Sequence, residues 1–374
     1  MIYLDHAATT QPDPEVVTTM RRFLETDFGN PSSLHEAGRT AKKALEHSRQ
    51  IVADYLDCEP VEIIFTSGGT ESVNLAILGL ASASNKKHII TTNIEHSAVL
   101  EACNFLESQG YQVTYLEADD QGLITADQVQ AAITPETGLI TIMYANNEVG
   151  TILPIPEIAA IAKQYNIAFH TDACQAAPYL DLSQLDITAL SFSGSKIYGP
   201  RGAAVLYLKE DTPFQKQSFG GDQEHGFRAG TENLAAVAGL AKAVELLQTH
   251  REQDCQNQTE LRDYLIQNLE GIKVNGHPKN RLPNNVNISA EGLEGESLLL
   301  RLNDKNIYVS TGSACSSAKL EASHVLEAIG LSKNDIHSSL RITLGRHTTK
   351  DQIDHFIQVF HQVVADLNNV GNWI

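Results

Sequence analysis

The chain has 374 residues, 42% of them apolar, and its 27 Lys and Arg against 46 Asp and Glu give a formal charge of −19. That length exceeds one ordinary core and the apolar share is too high for disorder, so a large folded domain with a smaller companion is expected. The acidic balance argues against nucleic acid and anionic membranes as partners, and no run of about eighteen apolar residues is available to span a bilayer.

The opening Met1-Ile2-Tyr3-Leu4-Asp5-His6 lacks a basic segment followed by an apolar run, so no secretory leader is expected. Helical spacing of apolar residues appears at 35–56, 96–109, 155–165 and 234–249. Between these lie short apolar runs that read as buried strands: 62–65, 88–91, 113–116, 139–144, 167–170, 187–192 and 203–208. Such alternation predicts a mostly parallel sheet with helices on both faces. A polar helix is expected at 251–270, then turns around Gly276-His277-Pro278. Strands near 284–289, 306–310 and 340–344 follow, with helices near 294–303 and 323–329. This reads as a large domain (14–250) and a smaller α+β domain (251–374), with an N-terminal arm (1–13) docking beside the latter. The five cysteines, at 58, 103, 174, 255 and 315, are odd in number and none lie two residues apart. That disfavours a disulfide framework and a four-cysteine zinc site and fits a reducing cytoplasm.

Chemistry is sought at the carboxyl ends of the strands, where open α/β sheets bind ligands. The run Thr66-Ser67-Gly68-Gly69-Thr70-Glu71-Ser72 follows a strand and precedes a helix. It reads either as a plain Gly-rich turn or as a cradle for a single phosphate, held by Thr70 and backbone N–H groups around Gly69. Asp172, at the tip of a buried strand, is either a helix N-cap or the partner of a protonated pyridine nitrogen. Gln175 is then in reach of the ring hydroxyl of pyridoxal 5'-phosphate (PLP). Lys196, a few residues beyond another buried strand, is either a surface charge or a desolvated amine suited to tether that cofactor. Ser193 and Ser195 add hydroxyl donors for the phosphate. Asp172 and Lys196 lie one strand–crossover–strand unit apart, which can set them at opposite ends of one ring.

Cys315 stands in Thr311-Gly312-Ser313-Ala314-Cys315-Ser316-Ser317, a Gly/Ser-rich run that reads as an exposed loop. Cys58, Cys103 and Cys255 read as small hydrophobes on helical patterns. Cys174 is ambiguous, sitting between Asp172 and Gln175.

With these pieces assembled, the sequence closely resembles the NifS/IscS-type cysteine desulfurases, within the fold-type I PLP enzymes. The matching motifs run nearly end to end. They include Tyr3 to Thr10, Gly29-Asn30-Pro31-Ser32-Ser33 with His35, the Thr66–Ser72 loop, and Glu95-His96-Ser97. Asn146-Asn147-Glu148-Val149-Gly150, Asp172-Ala173-Cys174-Gln175, the Lys196 segment and Arg228-Ala229-Gly230-Thr231-Glu232-Asn233 continue the series. Gly312-Ser313-Ala314-Cys315 and Arg341 with Leu344-Gly345-Arg346 complete it.

The resemblance implies an aspartate-aminotransferase-like large domain with a mostly parallel seven-stranded sheet, plus a smaller α+β domain. It implies that His96 stacks on the cofactor ring and shuttles protons, although His96 alone reads as a cap. Asn147 is implied to contact cofactor and substrate, Ala8 to line the substrate site, and Arg341 to clamp the substrate carboxylate. Thr231 is implied to reach the phosphate of a neighbouring subunit, making a homodimer. The implied activity converts L-cysteine to L-alanine and passes sulfur to Cys315, which also offers itself as a transient iron–sulfur ligand. The acceptor would be a protein such as an iron–sulfur scaffold. Sister PLP enzymes would need Lys196 and Asp172 but not Cys315, and a non-catalytic sulfur-relay or regulatory protein would tolerate loss of Lys196.

Three departures stand out. Ser195 occupies a place where the family usually has His. Asp222 replaces a glycine before the Arg228 motif, and the chain ends soon after its last helix, without the longer tail of the IscS branch.

Overall fold

The computed structural model describes residues 1–311 and 322–371. Its first strand, β1 (Ile2–Tyr3), is followed by two helices, α1 (Pro14–Glu25) and α2 (Glu36–Leu56). Asp13 caps α1 by accepting the Glu15 N–H at 2.9 Å, with Pro14 at the first helical position, where its missing N–H costs nothing.

Seven strands then build the main sheet. They are β2 (Ile63–Thr66), β3 (His88–Thr92), β4 (Gln112–Leu116), β5 (Thr137–Thr141), β6 (Ala168–Asp172), β7 (Ala189–Ser193) and β8 (Ala204–Leu208). Their order is β2-β8-β7-β6-β5-β3-β4, and β8 alone runs against both of its neighbours. Every residue of β2, β3 and β7 is buried, because helices cover both faces. Edge strand β4 is more open, which suits its Gln112 and Thr114.

On one face α3 (Gly69–Ala83) and α4 (Ser97–Ser108) pack over Ile64, Ile89, Leu139 and Leu206. On the other, α2, α5 (Ala126–Ala132), α6 (Ile155–Gln164) and the first half of α7 (Leu234–Asn268) cover Phe65, Ile90, Phe169 and Phe192.

A second core gathers around a three-stranded antiparallel sheet of β9 (Ile272–Asn275), β10 (Asn285–Ala290) and β12 (Ser339–Thr343), in the order β12-β10-β9. Helices α8 (Gly295–Asp304) and α11 (Lys350–Gly371) pack on it. The short α9 (His324–Ala328) and α10 (Lys333–His337) lie before β12. Strand β11 (Ile307–Tyr308) pairs in parallel with β1. The N-terminal arm is thereby sewn to this unit: Leu4 N–H donates to Tyr308 O and Thr343 N–H to Leu4 O, both at 2.8 Å.

Two expectations are corrected. The patterns at 234–249 and 251–270 form one 35-residue helix, α7. No Gly or Pro interrupts residues 240–270, so helix propensity carries the chain past the point where its apolar stripe ends. Inside that polar stretch Asp254, Gln258 and Arg262 recur every four residues and are buried. The strand expected at 306–310 shrinks to Ile307–Tyr308, with Asn306 turning at φ 58° and Ser310 making an isolated bridge to Arg341.

Candidate active site

The carboxyl ends of β2, β3, β6 and β7 open onto a cavity of about 330 Å³. Ala8, Gly69, Thr70, His96, Asn147 and Asp172 line it, as do Gln175, Ser193, Ser195, Lys196 and Arg341. Distant sequence positions meet here because each ends a strand, lies in the turn or short loop after one, or belongs to the arm or small sheet at those ends.

Asp172 closes β6 and is 8% exposed. It caps no helix: its Oδ1 accepts the Cys174 N–H at 2.9 Å and shapes a run of turns. Lys196 ends a single turn after β7, and its Nζ donates to Ala7 O at 2.6 Å and also to Ala8 O. Gln175 Nε2 donates to the same Ala7 carbonyl at 3.0 Å, so the N-terminal arm forms one wall. His96 caps α4, its Nδ1 accepting the Ala98 N–H at 3.1 Å, and also lines the cavity. That bond leaves the proton of the neutral ring on Nε2. Burial holds the imidazole below its ordinary pKa; Asp172 pulls it upward, and the Lys196 and His324 charges lower it further.

One end of the cavity is an anion cradle. Helix α3 begins at Gly69, and Gly68 before it supplies no capping side chain, so the first N–H groups are left for a ligand. Ser193 and Ser195 face each other at 3.1 Å between hydroxyl oxygens. Space at Gly69 is tight, since a Cβ there would lie 2.8 Å from Cys174 Sγ and 3.7 Å from Ser193 Cβ. Glu71 braces the cradle, accepting the Ser67 N–H at 2.6 Å and pairing with Arg228 at 2.9 Å.

Arg341, on β12, is 4% exposed. Its Nη1 donates to Asn147 O at 3.1 Å and its Nη2 to Asp5 Oδ1 at 2.9 Å. Among the described residues its buried Nε finds no acceptor, which leaves a donor for an incoming carboxylate.

One expected residue stands apart. Thr231 is exposed and does not line this cavity. Cys315 lies outside the described residues.

Several contributors were given no role by the sequence reading, which left Cys174 ambiguous. Cys174 lines the cavity, but burial first and Asp172 second hold its thiol pKa well above the ordinary value, so it is a poor nucleophile. Glu95, the residue before His96, is fully buried. Burial, with a smaller push from Asp172, raises its carboxyl to about 8 against the pull of the Met143 N–H and Thr92 hydroxyl. Asp5 is the ion-pair partner of Arg341. The loop carrying Thr231 is fixed by a buried pair: Arg49 donates to both Glu224 oxygens at 2.8 and 3.0 Å, and Glu224 also accepts the Phe65 N–H at 2.7 Å.

This geometry agrees with three kinds of likeness. The family model for class-V aminotransferases matches residues 2–356. The chain belongs to that family. Among its relatives are the cysteine desulfurases IscS of Dictyoglomus turgidum, 46% identical over 99% of this chain and 96% of the relative, and of Methanosarcina thermophila, 48% identical over 99% and 93%. A solved NifS-like protein superposes with a TM-score of 0.93 at 33% identity, covering 98% of this chain and all of its own. A structure titled SspA in complex with cysteine superposes at 0.84 with 38% identity, covering 93% of this chain.

Cysteine desulfurases of the class-V aminotransferase family use PLP. The cavity fits that group: an N–H and hydroxyl cradle suits a phosphate, a carboxylate at a strand tip suits a ring nitrogen, and an amine lines the same cavity. Among the described residues no cluster of three His, Cys, Asp or Glu is arranged to hold a metal, and no helix is long and apolar enough to cross a membrane.

Proposed function

We propose that this chain is a PLP-dependent cysteine desulfurase that turns L-cysteine into L-alanine and leaves the sulfur as a persulfide on Cys315. The observation that carries the reading is the pairing of two stations on one cavity. An amine, Lys196, and a carboxylate, Asp172, line it together with the buried guanidinium of Arg341, which has an unused donor.

In this reading Gly69, Thr70, Ser193 and Ser195 bind the phosphate, Asp172 meets the ring nitrogen, Gln175 meets the ring hydroxyl and His96 stacks on the ring. Bound PLP supplies an electron sink for the pair released at the substrate Cα. Arg341 orients the substrate carboxylate, with Asn147 and Ala8 beside it. Lys196 holds the cofactor at rest and then moves the Cα proton. His96, kept neutral by burial, has an Nε2 proton to exchange. The Cys315 thiolate takes the substrate sulfur, the carbon–sulfur bond breaks, and the three-carbon remainder takes up the protons and leaves as alanine. No external oxidant or reductant is needed.

The four other cysteines support this choice of carrier. Burial raises the thiols of Cys58 and Cys103 to about 12 and that of Cys255 to about 11, and Cys174 also lies high. None is poised as a thiolate.

The same reading includes a homodimer in which Thr231 serves the partner's phosphate. The exposure of Thr231 and of the apolar Phe28, Leu34 and Phe219 supports a protein-covered face. It also includes a protein sulfur acceptor such as an iron–sulfur scaffold, a reducing cytoplasmic setting, and the division of the chain into an arm, a large domain and a small domain. The test is alanine formation from L-cysteine by the wild type, Lys196→Ala and Cys315→Ser. Both variants are expected to lose turnover. A Cys315→Ser protein turning over as the wild type does would refute the sulfur route.

A further inference from the structure

The loop Asn146-Asn147-Glu148 touches three parts of the site at once. Asn146 is fully buried and fixes the loop: its Nδ2 donates to Ile94 O at 2.9 Å, and its Oδ1 accepts the N–H groups of Glu148 and Val149 at 2.8 and 3.0 Å. Asn147 lines the cavity and its carbonyl receives Arg341. Glu148 does not line the cavity. It is 6% exposed, and its carboxyl accepts the Ser323 hydroxyl at 2.5 Å.

Ser323 is 4% exposed and caps α9, its Oγ accepting the Leu326 N–H at 3.1 Å. The next residue, His324, donates from Nε2 to the carbonyl of Glu95 at 2.9 Å, one residue from His96. A buried carboxyl is costly unless donors reach it, and a hydroxyl from a distant segment is what this one receives. In sequence, Ser323 lies eight residues after Cys315 (323 − 315). On the other side Ser310, five residues before Cys315 (315 − 310), exchanges both backbone hydrogen bonds with Arg341, at 3.1 and 2.7 Å.

We propose that Glu148 is a positioning residue for sulfur transfer: its grip on Ser323 fixes the chain eight residues after Cys315, in register with Asn147 and Arg341. One loop thereby sets the substrate contacts and the downstream anchor of the sulfur carrier together. This inference rests on the reading of Cys315 as that carrier.

The test uses the PLP-loaded enzyme mixed with L-cysteine in a single turnover, with two readouts. One is the change in cofactor absorbance on substrate addition, which reports binding and early proton transfer. The other is the rate of persulfide formation on Cys315, followed by mass spectrometry. In Ser323→Ala the absorbance change keeps its wild-type rate within about two-fold. Persulfide formation slows about ten-fold, as expected when a buried carboxyl loses a donor. Ser323→Thr restores the rate because the hydroxyl returns. Glu148→Gln, which keeps an acceptor oxygen, stays within about three-fold of wild type. If both readouts fall together in Ser323→Ala, or persulfide formation does not slow, the positioning role is overturned. Cys315→Ser separates the two claims: if it abolishes turnover while Ser323→Ala does nothing, only this inference fails; if it turns over normally, the underlying reading fails.

Discussion

A methyl group at residue 69 probes the anion cradle directly. Gly69 is the first residue of α3, and the substitution Gly69→Ala would put Cβ 2.8 Å from Cys174 Sγ, well inside contact distance. The Cys174 thiol is not free to yield, because it is itself hydrogen-bonded to Asp172 and to the Ser193 backbone, so relief of the clash disturbs the wall expected to face the ring nitrogen. Overpacking of this kind costs about 1–3 kcal/mol. If the cost falls on the bound state, PLP affinity drops roughly five- to 150-fold, at 1.4 kcal/mol per tenfold. The assay is titration of cofactor-stripped protein with PLP by visible absorbance, with thermal unfolding run alongside to follow the fold. Adding Cys174→Ala removes the sulfur and leaves the methyl facing Ser193 Cβ at 3.7 Å, an ordinary contact, so the double variant should recover most of the affinity. A double variant no better than Gly69→Ala would refute the reasoning, as would a single variant that binds PLP like the wild type.

Other outcomes follow from the same geometry. Lys196→Ala should keep its fold and lower turnover of L-cysteine by about 10²–10⁴-fold, measured as alanine formed. Arg341→Lys loses the forked donor that spans Asn147, Asp5 and the substrate carboxylate, and should raise KM about ten-fold or more with a smaller change in kcat. Glu224→Gln leaves the buried Arg49 with only the half-exposed Glu46, at 3.4 Å, as counter-charge and should cost about 3 kcal/mol in urea unfolding, because the desolvated partner is lost. His170 is held at about 4, below its ordinary 6.5, by burial. Between these values the unfolded chain binds the extra proton, so stability falls as pH drops from about 6.5 toward 4. In His170→Asn that part of the slope should vanish when unfolding is compared at pH 7 and pH 5.

The sheet was legible because seven short apolar runs alternate with helical spacing, and the burial of whole strands bears out that pattern. Local punctuation also marked where the candidate residues fall: Gly68-Gly69 comes just after β2, Asp172 ends β6, and Lys196 ends the turn after β7. Long-range partners were not legible. The pairing of Arg341 with Asp5 spans 336 residues, and nothing near either residue announces it. The same holds for Glu148 with Ser323 and Arg49 with Glu224, whose meaning depends on burial. Asp172 misled in its lesser reading, since an Asp before Ala-Cys-Gln resembles a cap, yet the chain turns there without forming a helix. Helix α1 did carry a usable signal, Asp13-Pro14-Glu15, a cap followed by proline at the first helical position.

The most direct measurement mixes one equivalent of L-cysteine with the PLP-loaded protein, without reductant, and weighs its peptides while counting alanine. The account predicts one sulfur added to the peptide bearing Cys315 for each alanine released, and its removal by a thiol reductant. Alanine released with the added sulfur on Cys174, or with none on any cysteine, would contradict it.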